Sequence, residues 1–477
     1  MKWKSRAADR GFRNSTHFRV LAAVLCAALS MAVSVLLALD QHQPDSFRLL
    51  FLLPAVSSVF LFLFLLTAPE EYLRNIGVLL MLAELYIRCT ITPLFMYLGD
   101  YNSQFAGIGR KHVSGAVALL LYELLWCLAA IHFSMRRNDV FRKVKACKQS
   151  GYKKLGAVLG LLTLTCAVIW LTVPAVRSNY RSLAEILRSG IKDNAYDYRN
   201  AAGLGRFGRI LATLFTFLFS ILRYAVPAFL LVRINRVRKS RMGFCISLLI
   251  TALQLCFIPS AVATSLMAMC VLLILLMDLY PEYRKFLLFS IGTVTLTVCL
   301  LVFSITYKKA ASWYGIRTIY PYISRLLNGY CTGVCNVAST FLLPERNRLQ
   351  LLFHSLLEAV PFRSTLLPAS LHDETMNSLF TSLPQLSGQI VSSIGCGWYF
   401  FSWVFAPLPS FVFAFVSTAF GEKYHRTANV WKKTAYLYMC VQFAAGLGIY
   451  GMPIVLFNWV QVGIPLLFLS GLAGEDT

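Results

Sequence analysis

The sequence predicts an all-α polytopic membrane protein, and both its composition and its pattern of apolar runs favour this fold class. Of its 477 residues, 57% are hydrophobic and only 14% are charged, whereas a soluble domain carries about 25% charged residues. Apolar runs of about 20 residues, long enough to cross a bilayer, recur along the chain. These figures exclude a soluble multidomain protein, a disordered chain and a disulfide scaffold.

The apolar runs divide into about twelve predicted transmembrane helices within one transmembrane domain, 1–477. The predicted spans are 17–39, 48–67, 75–98, 113–134, 155–174, 208–232, 243–260, 262–280, 286–306, 388–418, 435–452 and 455–471. The run 243–280 is divided in two because one helix of that length would overshoot the bilayer. Pro407 and Pro409 within 388–418 predict a kink or a partly re-entrant start.

The distribution of basic residues predicts the orientation of the chain. Lys and Arg total 45 against 21 Asp and Glu, and the short loops 135–154 and 233–242 are the most basic. The positive-inside rule places these loops, and both termini, in the cytoplasm. Four segments then lie outside: 40–47, 99–112, 175–209 and 307–387. Short basic loops between spans favour lipid headgroups or an anionic substrate as partners and argue against nucleic acid.

Two of the outer segments are long and basic: a first basic outer loop, 175–209, and a large outer loop, 307–387. Long loops partly escape the positive-inside rule, so this basicity is either incidental or marks an anion-binding surface. In the first loop, Arg177, Arg181 and Arg188 share one helical face. They would bind an anion there or pair with Glu185.

The large outer loop has a predicted helical architecture of its own. Residues 344–360 predict an amphipathic helix with a proline in its first turn, lying on the membrane face or over a cavity. Its apolar stripe is Leu349, Leu352, Phe353, Leu356 and Leu357, and its polar stripe is Arg346, Gln350, His354 and Glu358. His354 is either a catalytic residue or a solvated one. Upstream, the semi-apolar segment 315–340, with Arg317 and Arg325, would dip partway into the membrane if it lines a cavity.

Two arginines fall deep inside predicted spans, Arg88 in the third and Arg223 in the sixth. A charge at such depth costs at least about 2.5–3.5 kcal/mol on insertion scales, so it usually faces a cavity or a partner. Glu84, four residues before Arg88, predicts a local ion pair, and Glu123 in the fourth span is an alternative partner. Arg223 has no acidic neighbour in its own span.

These features together resemble the Wzy-type polymerases of O-antigen and capsular polysaccharide. The 175–209 and 307–387 loops occupy the positions of that family's two arginine-marked outer loops. The stretch YCTGVCNVAS (330–339) is similar to a Tyr-x-x-Gly-x-x-Asn-x-Ala segment of many oligosaccharide-repeat polymerases. The stretch 387–410 is similar to the segment that leads into the following span. Arg317 and Gly333 match an Arg-x15-Gly spacing of some members. The first basic outer loop contains no clean version of this spacing.

The resemblance implies the fold of the O-antigen ligase and polymerase glycosyltransferases, located in the bacterial cytoplasmic (inner) membrane. It implies an undecaprenyl-diphosphate-linked oligosaccharide as substrate, with flippase and chain-length regulator proteins as candidate partners. A hydroxyl of the incoming repeat unit would attack the anomeric carbon of the donor, and undecaprenyl diphosphate would leave. Arginines suit this chemistry because they neutralise diphosphate charge through bidentate contacts. No metal or other cofactor is expected.

The predicted site follows from these roles. Arg317 and Arg325 are the predicted catalytic arginines, and His354 is preferred as general base over Glu358, His372, Asp373 and Glu374. The predicted substrate-binding residues are Arg223, Arg88, Arg177, Arg181, Tyr322, Tyr330, Asn336, Gln389 and Tyr399. The tyrosines would stack on sugars, although aromatic residues near an interface also simply anchor helices.

Three other functions fit parts of the pattern. A flippase for the same lipid-linked sugar also needs many spans and cationic residues, but transporters often show repeat symmetry and modest loops. An O-antigen-ligase-like transferase, which moves a glycan to a different acceptor, is not separated from a polymerase by sequence. A non-catalytic scaffold has little reason to retain deep charges such as Arg88 and Arg223.

Overall fold

The computed structural model is helical throughout its described residues, with no strand among them. The structure describes residues 2–101, 110–138, 152–179, 205–237, 241–256, 262–289, 292, 319–360, 374–383, 386, 389–427, 429–448 and 451–472. The principal helices are α1 Lys2–Leu39, α2 Leu52–Thr67, α3 Ile76–Leu98, α4 Val113–Asn138, α5 Tyr152–Thr172, α6 Arg206–Val237, α7 Arg241–Ala252, α8 Val262–Leu279, α9 Ile319–Tyr330, α10 Val334–Thr340, α11 Arg348–Leu357, α12 Met376–Thr381, α13 Ser393–Phe405, α14 Leu408–Arg426, α15 Val430–Ala445 and α16 Met452–Leu472.

The chain is a multi-pass helical membrane protein. Within the described residues, seven helices are long and apolar enough to cross a bilayer, or up to eight if the bent pair α13–α14 is one span. The seven are α1 from Arg19 onward, α2, α3, α4, α5, α6 and α16. They coincide with the first six predicted spans and the twelfth. The predicted kink in 388–418 is present, because α13 and α14 meet at 107° around Pro407.

Four of the predicted twelve spans lack a described helix of transmembrane length. The predicted spans 243–260 and 262–280 correspond to the shorter apolar helices α7 and α8. The predicted span 435–452 corresponds to α15, which has 16 residues and is buried along most of its length, whereas a bilayer needs about 20. Most of 286–306 lies outside the described residues.

The core of the bundle is formed by α3, α4, α14 and α15. Helix α14 packs against the other three, while α1 and α2 lie beside α3 and α4. Helices α6 and α8 pack against the other side of α15, and α5 and α7 pack against α6. The exposed side chains of α1, α2 and α5 are largely Leu and Val, as expected for surfaces that face lipid.

The described residues of the predicted outer segments 40–47, 99–112 and 307–387 meet at one end of the bundle, here called the Leu98 end. The Tyr101 hydroxyl donates to Asp40 at 2.8 Å, and His112 stacks on Phe341 with ring centroids 5.6 Å apart. Burial and the bond to Asp40 raise the pKa of Tyr101 above its ordinary value, so the phenol keeps its proton and remains the donor. Their common location agrees with the predicted alternation of the spans.

Two spans contain a π-helical turn, and both turns precede a proline. Ile87–Ile91 interrupts α3 before Pro93, and Trp459–Gly463 interrupts α16 before Pro465. A proline cannot donate the backbone hydrogen bond of a regular helix, so the preceding turn widens. In α3 the Thr92 hydroxyl donates to the Ile87 carbonyl at 3.0 Å and closes the widened turn.

Asn75 joins the start of α3 to α14. Its side-chain oxygen caps α3 by accepting from Gly77 N at 2.9 Å, and its Nδ2 donates to the Thr418 carbonyl at 2.9 Å. A β-carbon on Gly421 would overlap the Asn75 amide. The two helices therefore approach closely only because position 421 has no side chain.

We expect Asn75→Ala to lower the free energy of unfolding by about 1–3 kcal/mol, because it removes a helix cap and a buried interhelical hydrogen bond. Thermal unfolding of the purified protein in detergent measures the loss. Asn347→Ala is the matched control, since Asn347 caps α11 by accepting from Gln350 N and makes no interhelical hydrogen bond to another described residue. Equal losses in the two variants would contradict the contribution of the Thr418 bond.

Candidate functional site

The predicted re-entrant segment is a pair of helices, α9 and α10, packed into the Leu98 end of the bundle. All seven residues of α10 are buried, and α10 packs against α4 and α13. Irregular backbone is tolerated at membrane depth only where protein or a cavity surrounds it. The turn 331–333 satisfies this condition because it lies against α3 and the chain after α15.

Asn328 holds α9 and α10 together. Its Nδ2 donates to the Ser324 carbonyl at 2.9 Å, and its Oδ1 accepts from the backbone N–H of Cys335 at 3.0 Å. The second contact supplies α10 with a cap from outside the helix, because Cys335 lies in the first turn and its N–H has no intrahelical acceptor. The amide therefore fixes the turn that carries Thr332.

Thr332 occupies a strained backbone conformation beside Arg88. Its φ is 41°, in a region that β-branched residues rarely adopt. The conformation directs the Thr332 carbonyl to Arg88, whose Nε donates to it at 3.3 Å. Arg88 lies ten residues before Leu98, so the re-entrant turn reaches about 15 Å along α3 from its Leu98 end.

Arg88 and Glu123 form a fully buried ion pair between α3 and α4. The Arg88 Nη1 and Glu123 Oε2 atoms are 2.8 Å apart, and both side chains are 0% exposed. The other carboxylate oxygen of Glu123 accepts from the hydroxyl of Ser410 on α14. We call Arg88, Glu123, Thr332 and Ser410 the buried polar cluster. It connects α3, α4, α14 and the re-entrant turn.

Glu123, the alternative partner named from sequence, makes the ion pair at Arg88. The closer candidate in sequence, Glu84, lies one turn earlier on α3 and against Gly448, where an added β-carbon would overlap its carboxylate. The sequence offered both glutamates as neighbours of Arg88, and helix packing brings Glu123 within 2.8 Å of its guanidinium.

The two sequence stretches that resemble the polymerase family meet beside this cluster. Asn336 Nδ2 donates to the Ile390 carbonyl at 3.1 Å, and the Tyr399 hydroxyl donates to the Pro344 carbonyl at 2.8 Å. Asn336 Oδ1 and Gln389 Oε1 are buried and accept no hydrogen bond from the described residues. These two amides therefore retain acceptor capacity for a ligand that carries hydroxyl groups.

The remaining predicted site residues have different environments. Arg325 is half-buried on α9, Tyr322 is buried on the same helix, and Tyr330 is exposed at its end. Arg177 is exposed on the short helix Pro174–Asn179 that follows α5. Arg181 and Arg317 lie outside the described residues.

Arg223 belongs to a separate polar contact between α6 and α8. Its Nη1 and Nη2 donate to the hydroxyls of Thr264 at 3.2 Å and Ser265 at 2.8 Å. Its guanidinium also lies 5.6 Å from the Phe219 ring centroid. These contacts place the Arg223 guanidinium at the interface of α6 and α8.

The amphipathic helix predicted at 344–360 is shorter and packs by a different face. It begins at Arg348, not at the proline, because Asn347 caps it by accepting from Gln350 N at 3.2 Å. His354, expected on a polar outward stripe, is buried, and its Nδ1 lies 3.2 Å from the Glu374 carbonyl. The reason is that α12 covers the His354 face of the helix, which sequence periodicity does not report.

The buried ion pair gives a double-variant prediction. Glu123→Ala should lower the free energy of unfolding by about 3–5 kcal/mol, because Arg88 would remain buried without its anion. The double variant Arg88→Leu/Glu123→Leu should regain most of that loss, since neither charge remains. Thermal unfolding in detergent measures both. A double variant no more stable than Glu123→Ala would contradict an ion-pair origin of the loss.

Thr332 gives a second prediction on stability. Thr332→Gly should leave the free energy of unfolding within about 1 kcal/mol of the wild-type value, because relief of the strained φ offsets the loss of the hydrogen bond from the Thr332 hydroxyl to the Leu447 carbonyl, and the carbonyl that accepts from Arg88 is kept. Thr340→Gly is the control: Thr340 is buried within α10 with helical geometry, so glycine should destabilise there. A similar loss in both variants would show that the strain is not significant.

Comparisons with protein-family models, with curated proteins and with solved structures gave no match. The functional assignment therefore rests on the residues and contacts described above.

Proposed function

We propose that the chain is a membrane glycosyltransferase that polymerises undecaprenyl-diphosphate-linked oligosaccharide repeat units into surface polysaccharide. It would act on the outer face of the bacterial cytoplasmic membrane, with both termini in the cytoplasm. The observation that supports this most is the contact between residues 330–339 and 387–410, through Asn336 and Ile390. These are the two stretches that resemble the polymerase family, and the two contacting residues lie 54 positions apart in sequence.

The arginines supply the charge compensation that this reaction needs. As the bond between the anomeric carbon and the diphosphate oxygen breaks, negative charge develops on the diphosphate. Arg325, half-buried on α9, and Arg317 are the residues proposed to neutralise it through bidentate contacts. Arg88 is already paired with Glu123, so we assign it to positioning the re-entrant turn.

The contact with the Glu374 carbonyl gives the two ring nitrogens of His354 different roles. The Glu374 carbonyl can only accept a hydrogen bond, so His354 Nδ1 carries the proton in their 3.2 Å contact. Nε2 is then the nitrogen able to accept a proton. In the proposed reaction the acceptor hydroxyl passes its proton to Nε2 while its oxygen bonds to the anomeric carbon, and undecaprenyl diphosphate leaves.

The two amide side chains Asn336 and Gln389 are proposed to bind the sugars. Their buried oxygens retain acceptor capacity, and sugar hydroxyls are hydrogen-bond donors. The ring of Tyr399 is buried beneath Arg348, so we assign it to supporting the site. Tyr330 is exposed and remains available for stacking on a sugar.

The test is polymerisation by the purified full-length protein in liposomes, supplied only with undecaprenyl-diphosphate-linked repeat units and analysed on a gel. The wild type should produce a ladder of lengthening lipid-linked glycan. Arg325→Ala should abolish the ladder, and Arg325→Lys should also fail, because lysine cannot make the bidentate contact. His354→Gln should slow it by about 10²-fold or more, the contribution of a general base.

Arg48→Ala is the matched control, since Arg48 is an exposed arginine paired with Asp45 outside the site, and it should leave the ladder unchanged. Movement of the lipid-linked sugar across the bilayer without a change in length would favour the flippase alternative. Transfer of the glycan only to a different acceptor would favour the ligase-like alternative. An unchanged ladder in all Arg325 and His354 variants would contradict the site assignment.

A further inference from the structure

Helix α11 is fixed to the protein by one face. The backbone N–H of Met376 donates to the Ser355 hydroxyl at 2.9 Å, and His354 contacts the Glu374 carbonyl. Leu351 is buried on the same face. Because these contacts hold α11 against α12, the orientation of its opposite face is determined.

The opposite face of α11 is apolar and exposed. Leu349, Phe353 and Leu356 lie at positions i, i+4 and i+7, and Leu349 is 79% exposed. A helix with one exposed apolar face and a basic border typically lies at the boundary between lipid headgroups and acyl chains. Among the described residues, no other part of the chain covers this row.

A second exposed apolar surface begins at Ser402 in α13. Ser402 has a φ of 62° and a ψ of −174°, a backbone conformation nearly restricted to glycine. After this break, Trp403, Val404 and Phe405 are exposed, with Val404 at 65%. Helix α13 is half of the bent pair that has the length and composition of a span, and an exposed apolar surface on such a helix is suited to contact with lipid.

Arg348 lies between the two apolar surfaces. Its Nη1 donates to the Ser402 hydroxyl at 3.3 Å, and its guanidinium lies 5.7 Å from the Tyr399 ring centroid. Arg346, two residues earlier, pairs with Glu374 at 3.4 Å, whereas no described carboxylate lies within ion-pair distance of Arg348. Arg348 is thus a positioned cation with most of its five donors unused.

We propose that Arg348 binds the headgroup phosphate of an anionic membrane phospholipid. The acyl chains of this lipid cover the exposed rows on α11 and at Trp403–Phe405. Phospholipid is favoured over a protein partner for two reasons. The exposed apolar side chains of α11 and of Trp403–Phe405 continue the lipid-facing surface of a span, and the positively charged Arg348 lies at their border. The proposal goes beyond the glycosyltransferase function and does not depend on it.

The experiment uses photocrosslinking in the full-length protein. p-Benzoylphenylalanine replaces Phe353 in one variant and Val404 in a second, so that each apolar row carries a probe. The protein is reconstituted in neutral vesicles that contain a small fraction of alkyne-tagged phosphatidylglycerol or, separately, alkyne-tagged phosphatidylcholine. Both probes should label lipid, and phosphatidylglycerol should be labelled several-fold more than phosphatidylcholine.

Arg348→Gln should remove the preference for phosphatidylglycerol. Labelling by phosphatidylcholine should continue, and this continued labelling shows that α11 is still packed against α12. Arg346→Gln is the matched control and should keep the preference, because Arg346 is already paired with a carboxylate. Millimolar inorganic phosphate should also leave the preference intact.

Each of the following results would overturn the proposal. The first is equal labelling by the two lipids in the probe variants that retain Arg348, or a preference that survives Arg348→Gln. The second is a preference lost on adding inorganic phosphate, which would make Arg348 a site for free phosphate. The third is crosslinking of either probe to a second copy of the chain, which would make this surface a protein interface.

Discussion

A guanidinium in the interior of a helix bundle needs an anion, and Arg88 obtains it from Glu123 on the neighbouring helix. This one requirement constrains much of the structure. Glu123 must face α3, Ser410 must reach the second carboxylate oxygen, and α14 must therefore lie against α4. The bend after α13 makes this possible, because it brings the start of α14 to the depth of the ion pair.

The same arginine also determines how the large segment at the Leu98 end is built. Arg88 Nε needs an acceptor, and the Thr332 carbonyl meets that need from a strained turn. Asn328 holds the turn by capping α10 from α9. Helix α10, which follows the turn, is thereby held inside the bundle, where Asn336 donates to the Ile390 carbonyl. Stability and the proposed chemistry depend on the same contacts.

The edge of the site contains a second arginine, Arg348, which is exposed whereas Arg88 is buried. Arg348 is exposed, stacks on Tyr399 and contacts Ser402 at the break in α13. It lies where the protein changes from a packed site to a lipid-facing surface. The buried pair therefore organises the interior, and the exposed cation marks the border with the membrane. Both positions combine a basic residue with an irregular backbone, which is common at functional sites.

The sequence by itself determined the class of fold, most of the spans and the presence of deep charge. Apolar runs report local burial in lipid, so the first six spans, the last span and the kink at Pro407 followed from them. The tertiary structure alone decided that Glu123 pairs with Arg88, which backbone carbonyl Arg88 binds, and which face of α11 is buried. Helical spacing indicated Glu84 as a neighbour of Arg88, and amphipathic periodicity placed His354 outward. Both predictions used only neighbours within one helix, whereas Glu123 and the Glu374 carbonyl come from other segments. Partners of this kind depend on how helices pack, and a pattern confined to one segment carries no information about that packing.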